Sequence, residues 1–400
     1  MKKIILATVV VSMVSLFTLS ACSPSEVPAV ETEMPGLANT VMPEPTLQVV
    51  TPEASPTVVV NEELQPSPTE TSSLRGQVAL VSNGTIWLYN LETESLVEVA
   101  TVSPEDKLGK LEISEDGNWL AYNTQSTLFV HHLSNGDEYS LTEAGSFLGW
   151  SDQSGQFYSV LSHGQCEDIF DSLEDQDLIN YDVLKVNLLD SAENDLLINI
   201  SGGLRVPQMI SEDGAWISFL NCRCYSECFG YSLWHIPSEA ELGQPEVGLI
   251  PGPFSFSPDY RSVTFSRFMG LGFEASPLFV ADVNFDDVMT IYADEGIYPE
   301  SPIWSPRGDW IAFEGWRVDS EGFDIIDSRI ILVKPDGGAQ ILLEESNADV
   351  IAWSPQGDHL MYMLEEGGER SYYVYSPDTR EKELLPLPPG SFVLDWENLP

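Results

Sequence analysis

Basic residues are scarce in this chain of 400 residues, which has 17 Lys and Arg against 63 Asp and Glu and a formal net charge of −46. Binding to a nucleic-acid backbone requires clusters of Lys and Arg, so nucleic acid is excluded as a partner. Direct contact with anionic lipid headgroups is excluded for the same reason. The acidic surplus suits a basic partner or cations, but solubility at an exposed surface explains it more simply.

Catalytic signatures are also missing. The sequence has no Gly-x-Ser-x-Gly elbow, no His-Glu-x-x-His and no Walker loop, and its five histidines do not cluster. No α/β-hydrolase domain follows the repeats described below, so we expect no prolyl-oligopeptidase-like activity. These absences favour a binding protein over an enzyme, and we assign no catalytic residue.

Repetition is what the chain has in abundance. A phrase of an apolar residue, Ser, a tight turn and an alternating apolar run occurs six times. The copies begin at Ile113, Trp150, Ile210, Phe256, Trp304 and Trp353. Ser-Pro-Asp-Gly and its variants favour a β-turn, and the alternation after it predicts a strand buried on both faces. A period of ~40–50 residues is typical of the blades of a β-propeller.

An incomplete unit precedes the six copies, with an Asn83-Gly84 hairpin turn but no inner strand. The segment Phe392–Trp396 resembles the inner strand of the last copy and supplies the missing piece. We therefore predict an all-β, seven-bladed propeller over residues 76–400, with ~46 residues per blade. Pairing of the N- and C-terminal strands would close it. A six-bladed ring, with the first unit as a cap, is the alternative.

The N-terminus resembles a bacterial lipoprotein signal. Lys2 and Lys3 precede a short apolar stretch, and Leu19-Ser-Ala-Cys22 matches a lipobox. We predict that residues 1–21 are a signal peptide and that Cys22 is the lipidated first residue. Residues 22–75 are rich in Pro, Thr and Glu and are predicted to be a disordered tether. The expected location is extracytoplasmic, at the cell surface or in the periplasm, with the lipid as the sole membrane anchor.

Four cysteines follow Cys22, namely Cys166, Cys222, Cys224 and Cys228. An even number in an exported protein predicts two disulfides, for which three pairings are possible. We favour Cys222–Cys228 across a hairpin and Cys166–Cys224 between blades. A metal site is the alternative, but Cys222-x-Cys224-x3-Cys228 lacks the usual zinc spacing.

Long connections between second and third strands are predicted on one face of blades three to six. They cover residues 162–180, 221–230, 267–276 and 315–327. Long loops on one side of a rigid scaffold are where binding residues concentrate. The candidates on this predicted binding face are Tyr225, Phe268, Phe273, Trp316 and Arg317.

The first of these connections is strongly acidic and contains the weak metal candidates His163, Asp168 and Asp171. Calcium is bound by several oxygen ligands, so the composition permits Ca2+. No EF-hand or nonapeptide spacing is present, and a solvated acidic loop is favoured. We expect no other cofactor.

The Trp304–Phe313 copy, Trp-Ser-Pro-Arg-Gly-Asp-Trp-Ile-Ala-Phe, resembles the WD40-like (PD40) repeat of the TolB propeller family. The resemblance covers nearly all of residues 76–400 and implies a periplasmic or surface propeller that binds other proteins. The chain departs from that family in its predicted lipid anchor, tether and disulfides, so only the fold and protein binding carry over.

The sequence supports two expectations for the function. The favoured one is a binding module at the cell envelope for an envelope or extracellular protein, with a basic one suiting the charge. The alternative is a carbohydrate-active enzyme similar to oligogalacturonate lyase, a seven-bladed propeller whose metal is held by clustered histidines. That alternative requires His163, His235 and His359 to converge at the mouth of the ring.

Overall fold

The computed structural model describes residues 74–399 apart from 104–105, 125–126, 142–144, 164–179, 190–194, 201–204, 224–226, 242–251, 268–275, 319–324 and 344–345. These residues form 28 β-strands and one 3-10 turn, Ile236–Ser238. Among them, no helix is long and apolar enough to span a membrane.

The strands are named in chain order. The first eleven are β1 (Gln77–Ser82), β2 (Thr85–Asn90), β3 (Ser95–Thr101), β4 (Leu111–Ile113), β5 (Trp119–Asn123), β6 (Leu128–His132), β7 (Glu138–Leu141), β8 (Ser146–Trp150), β9 (Gln156–His163), β10 (Asn180–Asn187) and β11 (Asp195–Ile200). The next eight are β12 (Arg205–Ile210), β13 (Trp216–Arg223), β14 (Glu227–His235), β15 (Ala240–Glu241), β16 (Ser255–Phe256), β17 (Ser262–Ser266), β18 (Leu278–Asp282) and β19 (Met289–Tyr292). The last nine are β20 (Tyr298–Trp304), β21 (Ile311–Val318), β22 (Ile325–Val333), β23 (Gln340–Leu342), β24 (Ala348–Trp353), β25 (Leu360–Glu366), β26 (Glu369–Tyr375), β27 (Lys382–Leu384) and β28 (Phe392–Glu397).

Seven antiparallel sheets of four strands each make up the described part of the chain. Blade 1 has the order β28-β1-β2-β3, and blades 2 to 7 take β4–β7, β8–β11, β12–β15, β16–β19, β20–β23 and β24–β27. The predicted seven-bladed propeller is confirmed, and the six-bladed alternative is wrong. The first unit is a complete blade because β28 pairs with β1 from Val81↔Phe392 to Gln77↔Glu397.

Side-chain hydrogen bonds reinforce this closure. The Trp396 indole Nε1 donates to the Arg75 carbonyl (2.9 Å), and the Gln77 amide Nε2 donates to the carbonyls of Gly117 (2.8 Å) and Asn398 (2.9 Å). The two ends of the propeller are thereby joined to each other and to blade 2.

The core consists of seven apolar clusters, each between two neighbouring blades. Strand alternation produces this arrangement, because successive side chains of a buried strand point to opposite neighbours. In blade 6, Trp310 and Ala312 pack towards blade 7, whereas Ile311 and Phe313 pack towards blade 5. The alternation within the repeated phrase is therefore a packing pattern, as predicted for a strand buried on both faces.

A buried serine explains the turn in five of the six phrases. In blade 6 the Ser305 hydroxyl donates to Asp309 Oδ1 (2.9 Å) and accepts from the Trp310 amide (3.2 Å). The serine amide donates to the Trp310 carbonyl (2.8 Å) and completes the turn. Equivalent contacts are made by Ser114, Ser211, Ser257 and Ser354. The aspartates of the phrase thus stabilise turns and are not candidates for catalysis.

Replacement of Ser305 by Ala is expected to lower the free energy of unfolding by ~1–3 kcal/mol, because the buried amides of Asp309 and Trp310 lose their acceptor. Chemical denaturation of the full chain measures this. The exposed Ser95→Ala serves as the control and is expected to change the free energy by less than ~0.5 kcal/mol. Equal stability of the two variants would show that the serine is dispensable.

Candidate functional site

The inner strands β28, β4, β8, β12, β16, β20 and β24 surround the propeller axis. We call the side with the connections between second and third strands the loop face, and the side with the serine turns the turn face. Carboxylates occupy the axis towards both faces, although inner strands of a propeller are usually packed with apolar side chains. They form the candidate functional site.

The loop-face carboxylates are Glu300 of β20, Glu314 of β21 and Asp349 of β24. Glu300 and Asp349 are half-buried, and Glu314 is only 5% exposed. Glu300 and Glu314 are paired in register across β20 and β21. A wide irregularity between Glu300 and Ile303, with Ser301 at φ 48°, interrupts the inner strand directly after Glu300.

Burial dominates the electrostatics of these three groups. It raises the pKa of Glu300 to about 7, and together with repulsion from Asp349 it raises the pKa of Glu314 to about 8. Burial and then Glu365 raise the pKa of Asp349 to about 6, against the opposing effect of Arg370. A cation arriving at this mouth would favour the ionised form of all three.

The turn-face carboxylates on the axis are Glu112, Asp395 and Glu397. Asp395 Oδ2 accepts from the Ile113 amide at 2.7 Å, which links the closing strand to blade 2. Burial raises the pKa of both Asp395 and Glu397, and mutual repulsion raises that of Glu397 further. Lys110 forms an ion pair with one of these carboxylates, because its Nζ lies 2.7 Å from Glu112 Oε2.

The position directly after the turn serine carries an acidic residue on one side of the ring only. The residue after the turn serine is acidic in blades 2 to 4 and proline in blades 5 to 7. These residues are Glu115, Asp152 and Glu212 against Pro258, Pro306 and Pro355. Burial and then Glu115 raise the pKa of Glu212, so charges from separate blades act on one another. Aligning the six phrases position by position would have shown this asymmetry in the sequence.

Of the predicted binding-face residues, the structure describes Trp316 and Arg317. Trp316 is half-buried at the loop face, where its ring lies 6.3 Å from that of Tyr298, and Arg317 is exposed. Tyr225, Phe268 and Phe273 lie outside the described residues. Their part in a binding face stays a prediction.

Two predicted long connections are shorter than expected. β13 and β14 leave only residues 224–226 between them, and Trp316 and Arg317 belong to β21 rather than to a loop. Continued antiparallel pairing is the reason, because Trp316↔Ser328 and Arg317↔Asp327 extend the blade 6 ladder beyond its core. Such pairing satisfies backbone groups that a loop would leave to water.

The register of β13 and β14 places Cys222 opposite Cys228. Directly opposed residues of an antiparallel pair have Cα separations that a disulfide can bridge. The Cys222–Cys228 disulfide nevertheless stays a prediction, as do Cys166–Cys224 and lipidation at Cys22, since Cys166, Cys224 and Cys22 lie outside the described residues.

The weak metal site is not assembled by the described residues. His163 Nε2 contacts Asp182 Oδ2 at 2.7 Å, and Asp168 and Asp171 lie outside the described part. No group of three or more His, Cys, Asp or Glu side chains suited to a metal occurs among the described residues.

The histidines do not converge. His163 stands at the loop-face end of blade 3, while His235 and His359 stand at the turn-face ends of blades 4 and 7. His131 and His132 belong to β6 of blade 2. The lyase alternative therefore receives no support from the arrangement on which it depended.

Comparison with known proteins gives the fold alone. No family model and no curated protein matches the chain. A prolyl endopeptidase structure matches with a TM-score of 0.57 and 14% identity over 80% of this chain and 50% of that one, so the chain spans half its length. An oligogalacturonate lyase in complex with manganese matches with a TM-score of 0.54 and 13% identity over 74% of this chain and 83% of that one. TolB from Acinetobacter baumannii matches with a TM-score of 0.44 and 15% identity over 81% and 67%. The two matches with TM-scores above 0.5 agree with the β-propeller fold and show nothing beyond the fold.

Proposed function

We propose that this chain is a lipid-anchored, extracytoplasmic binding module that captures a positively charged protein segment at the loop face. The observation that carries the proposal is the axial group of Glu300, Glu314 and Asp349. Arg370, the basic side chain that lowers the pKa of Asp349, already contacts Glu365 at 3.4 Å and lies 4.9 Å from the Phe392 ring. The mouth thus presents carboxylates in excess over cations, beside the half-buried Trp316.

Aromatic and arginine side chains are enriched where protein partners bind, and Trp316 and Arg317 supply one of each at this face. The resemblance of the repeated phrase to the TolB propeller family favours a protein as the partner. The net charge of −46 favours a basic one, since charge complementarity accelerates association and excludes acidic competitors. The predicted signal peptide, Cys22 and tether would hold the propeller outside the membrane.

Capture is tested by extracting the native protein with mild detergent and identifying co-purifying proteins by mass spectrometry. A stoichiometric partner that is released by salt is expected to bind the axis variant Glu300→Gln/Asp349→Asn ~10-fold or more weakly. One good charge pair is worth at least ~1.4 kcal/mol of binding free energy. The control Glu92→Gln/Glu94→Gln removes the same formal charge from exposed positions of blade 1 and is expected to retain the partner.

Two results would count against the proposal. One is a protein that purifies without a stoichiometric partner. The other is equal capture by the axis variant and the control, which would move the binding surface away from the axis.

A further inference from the structure

The tripeptide Ser-Asn-Gly occurs twice in the chain, at residues 82–84 and 134–136, and these contain its only two Asn-Gly pairs. The first lies between β1 and β2 in blade 1, and the second lies between β6 and β7 in blade 2. Both asparagines are exposed. Because the sequence and the exposure match, the two sites differ mainly in the hydrogen bonds that hold them.

Asn-Gly pairs share one spontaneous reaction. The backbone nitrogen of the glycine attacks Cγ of the asparagine side chain, and the new N–Cγ bond closes a succinimide ring. The Cγ–Nδ2 bond breaks, and ammonia leaves with the proton of the glycine amide. Water then opens the ring at either carbonyl to give aspartate or isoaspartate. Since the attack is intramolecular, its rate depends on how freely the glycine nitrogen and Cγ can approach each other.

Asn135 is restrained against this attack by three hydrogen bonds. Its Nδ2 donates to Asp137 Oδ2 (2.8 Å), and its Oδ1 accepts from the Asp137 amide (2.9 Å). The Gly136 amide donates to the His132 carbonyl (2.9 Å). The attacking nitrogen and the attacked side chain are therefore both engaged, and these bonds must be broken before the ring can close.

Asn83 is held much less firmly. Within the described residues its side chain makes one hydrogen bond, from Nδ2 to Ser82 Oγ at 3.4 Å. The Gly84 carbonyl accepts from the Val102 amide (2.7 Å), but the Gly84 amide makes no hydrogen bond in the described part of the chain. Gly84 also has no Cβ to obstruct the approach of its nitrogen. Both reacting groups at this site are therefore available.

We propose that Asn83 is a site of spontaneous modification, at which the folded protein converts asparagine into aspartate and isoaspartate while Asn135 is protected. Water is the only co-reactant. The proposal concerns the chemistry of the chain itself and is independent of the proposed function.

The position of Asn83 gives the modification a structural effect. The two-residue loop sets the register of β1 and β2 from Ser82↔Thr85 to Gln77↔Asn90. Isoaspartate carries the main chain through its side-chain carbon and lengthens this loop by one atom. β1 is also the strand with which the closing strand β28 pairs. Molecules that contain isoaspartate at this position are therefore expected to have a lower Tm.

Incubation of the full chain at mildly alkaline pH, followed by peptide mapping with mass spectrometry, compares the two sites within one molecule. Asn83 is expected to convert ~10-fold or more faster than Asn135, because the bonds that hold Asn135 raise its barrier. In urea the two rates should become similar, since these bonds are lost. Asp137→Ala removes one restraint and should accelerate Asn135 by ~3-fold or more, with Asn83 unchanged.

Equal rates in the folded protein, or faster conversion of Asn135, would overturn the proposal. A difference that persists in urea would also overturn it, because neighbouring residues in the sequence would then select Asn83.

The structural effect is measured on the converted fraction, which anion exchange separates by its added negative charge. Calorimetry of this fraction should give a lower Tm than that of the native protein. Asn83→Asp gains the same charge without the extra main-chain atom and should keep the native Tm. A converted fraction as stable as Asn83→Asp would refute the effect on blade 1.

Discussion

Deletion of the closing strand β28 is expected to abolish the cooperative thermal unfolding transition of the propeller. Without Phe392–Glu397, β1 loses its inner neighbour, and the cluster between blades 7 and 1 loses the buried Val393 and Trp396. An open ring also exposes β1 as an unpaired edge, which favours aggregation. Differential scanning calorimetry of the full chain and the deletion variant measures the effect.

A milder variant keeps this prediction testable if the deletion cannot be purified. Trp396 is 1% exposed, and Trp396→Ala is expected to cost ~3–5 kcal/mol of stability. Leu384→Ala on the outer strand β27, where the side chain is 56% exposed, should cost less than ~0.5 kcal/mol. A Trp396→Ala protein as stable as the Leu384→Ala control would mean that closure by β28 contributes little.

Stability is expected to fall as pH rises from about 5 to about 9. The axial carboxylates have pKa values above those of ordinary Asp and Glu, because burial disfavours their charged forms. In this range the folded state holds more protons than the unfolded state, so each increase in pH favours unfolding. The stability that these carboxyl groups contribute is fully present below about pH 4 and is lost once they ionise in the folded protein.

Other aspartates act in the opposite direction at lower pH. The Ser257 hydroxyl lowers the pKa of Asp259. The stability that Asp259 contributes is therefore present above the ordinary pKa of Asp and is lost as pH falls through the lowered pKa. The two effects place the optimum in the mildly acidic range. Acidic proteins without such a buried group are expected to become most stable nearer neutrality.

The pH prediction is measured as the Tm of the full chain at pH 5, 7 and 9, with a decrease of ~5 °C or more expected from the first to the last. The double variant Asp395→Asn/Glu397→Gln removes two raised carboxyl groups at the closure and should flatten the decline. Glu92→Gln/Glu94→Gln, which changes exposed groups, should follow the native curve. A Tm that rises towards pH 9 would contradict the assignment of buried, largely neutral carboxyl groups.

The architecture could be predicted because its signals are local and repeated. Each copy carries a serine turn and an alternating strand, and Asn83-Gly84 marks the one blade that lacks its own inner strand. Even the completing segment, Phe392–Trp396, was identifiable by its likeness to Val350–Trp353. Repetition compensates for the weak signal of any single strand.

The axial carboxylates could not be predicted, because they meet only through the ring. Glu112 and Asp395 stand 283 positions apart in the sequence, yet Asp395 accepts from the amide directly after Glu112. In the sequence each is one acid among 63. All of them except Glu314 are distinguished by their position on inner strands, and Glu314 lies on β21 in register with Glu300 of the inner strand β20. These positions become visible only when the blades are aligned.

Pairing of β28 with β1 also determines the order in which the blades can fold. Trp396 donates to the Arg75 carbonyl across 321 positions of sequence, so blade 1 emerges first during synthesis and is completed only after blades 2 to 7 have been made. Contacts of such long separation form slowly, because the entropy of closing the intervening chain must be overcome first. A nascent chain of this protein therefore stays incompletely folded until β28 is available.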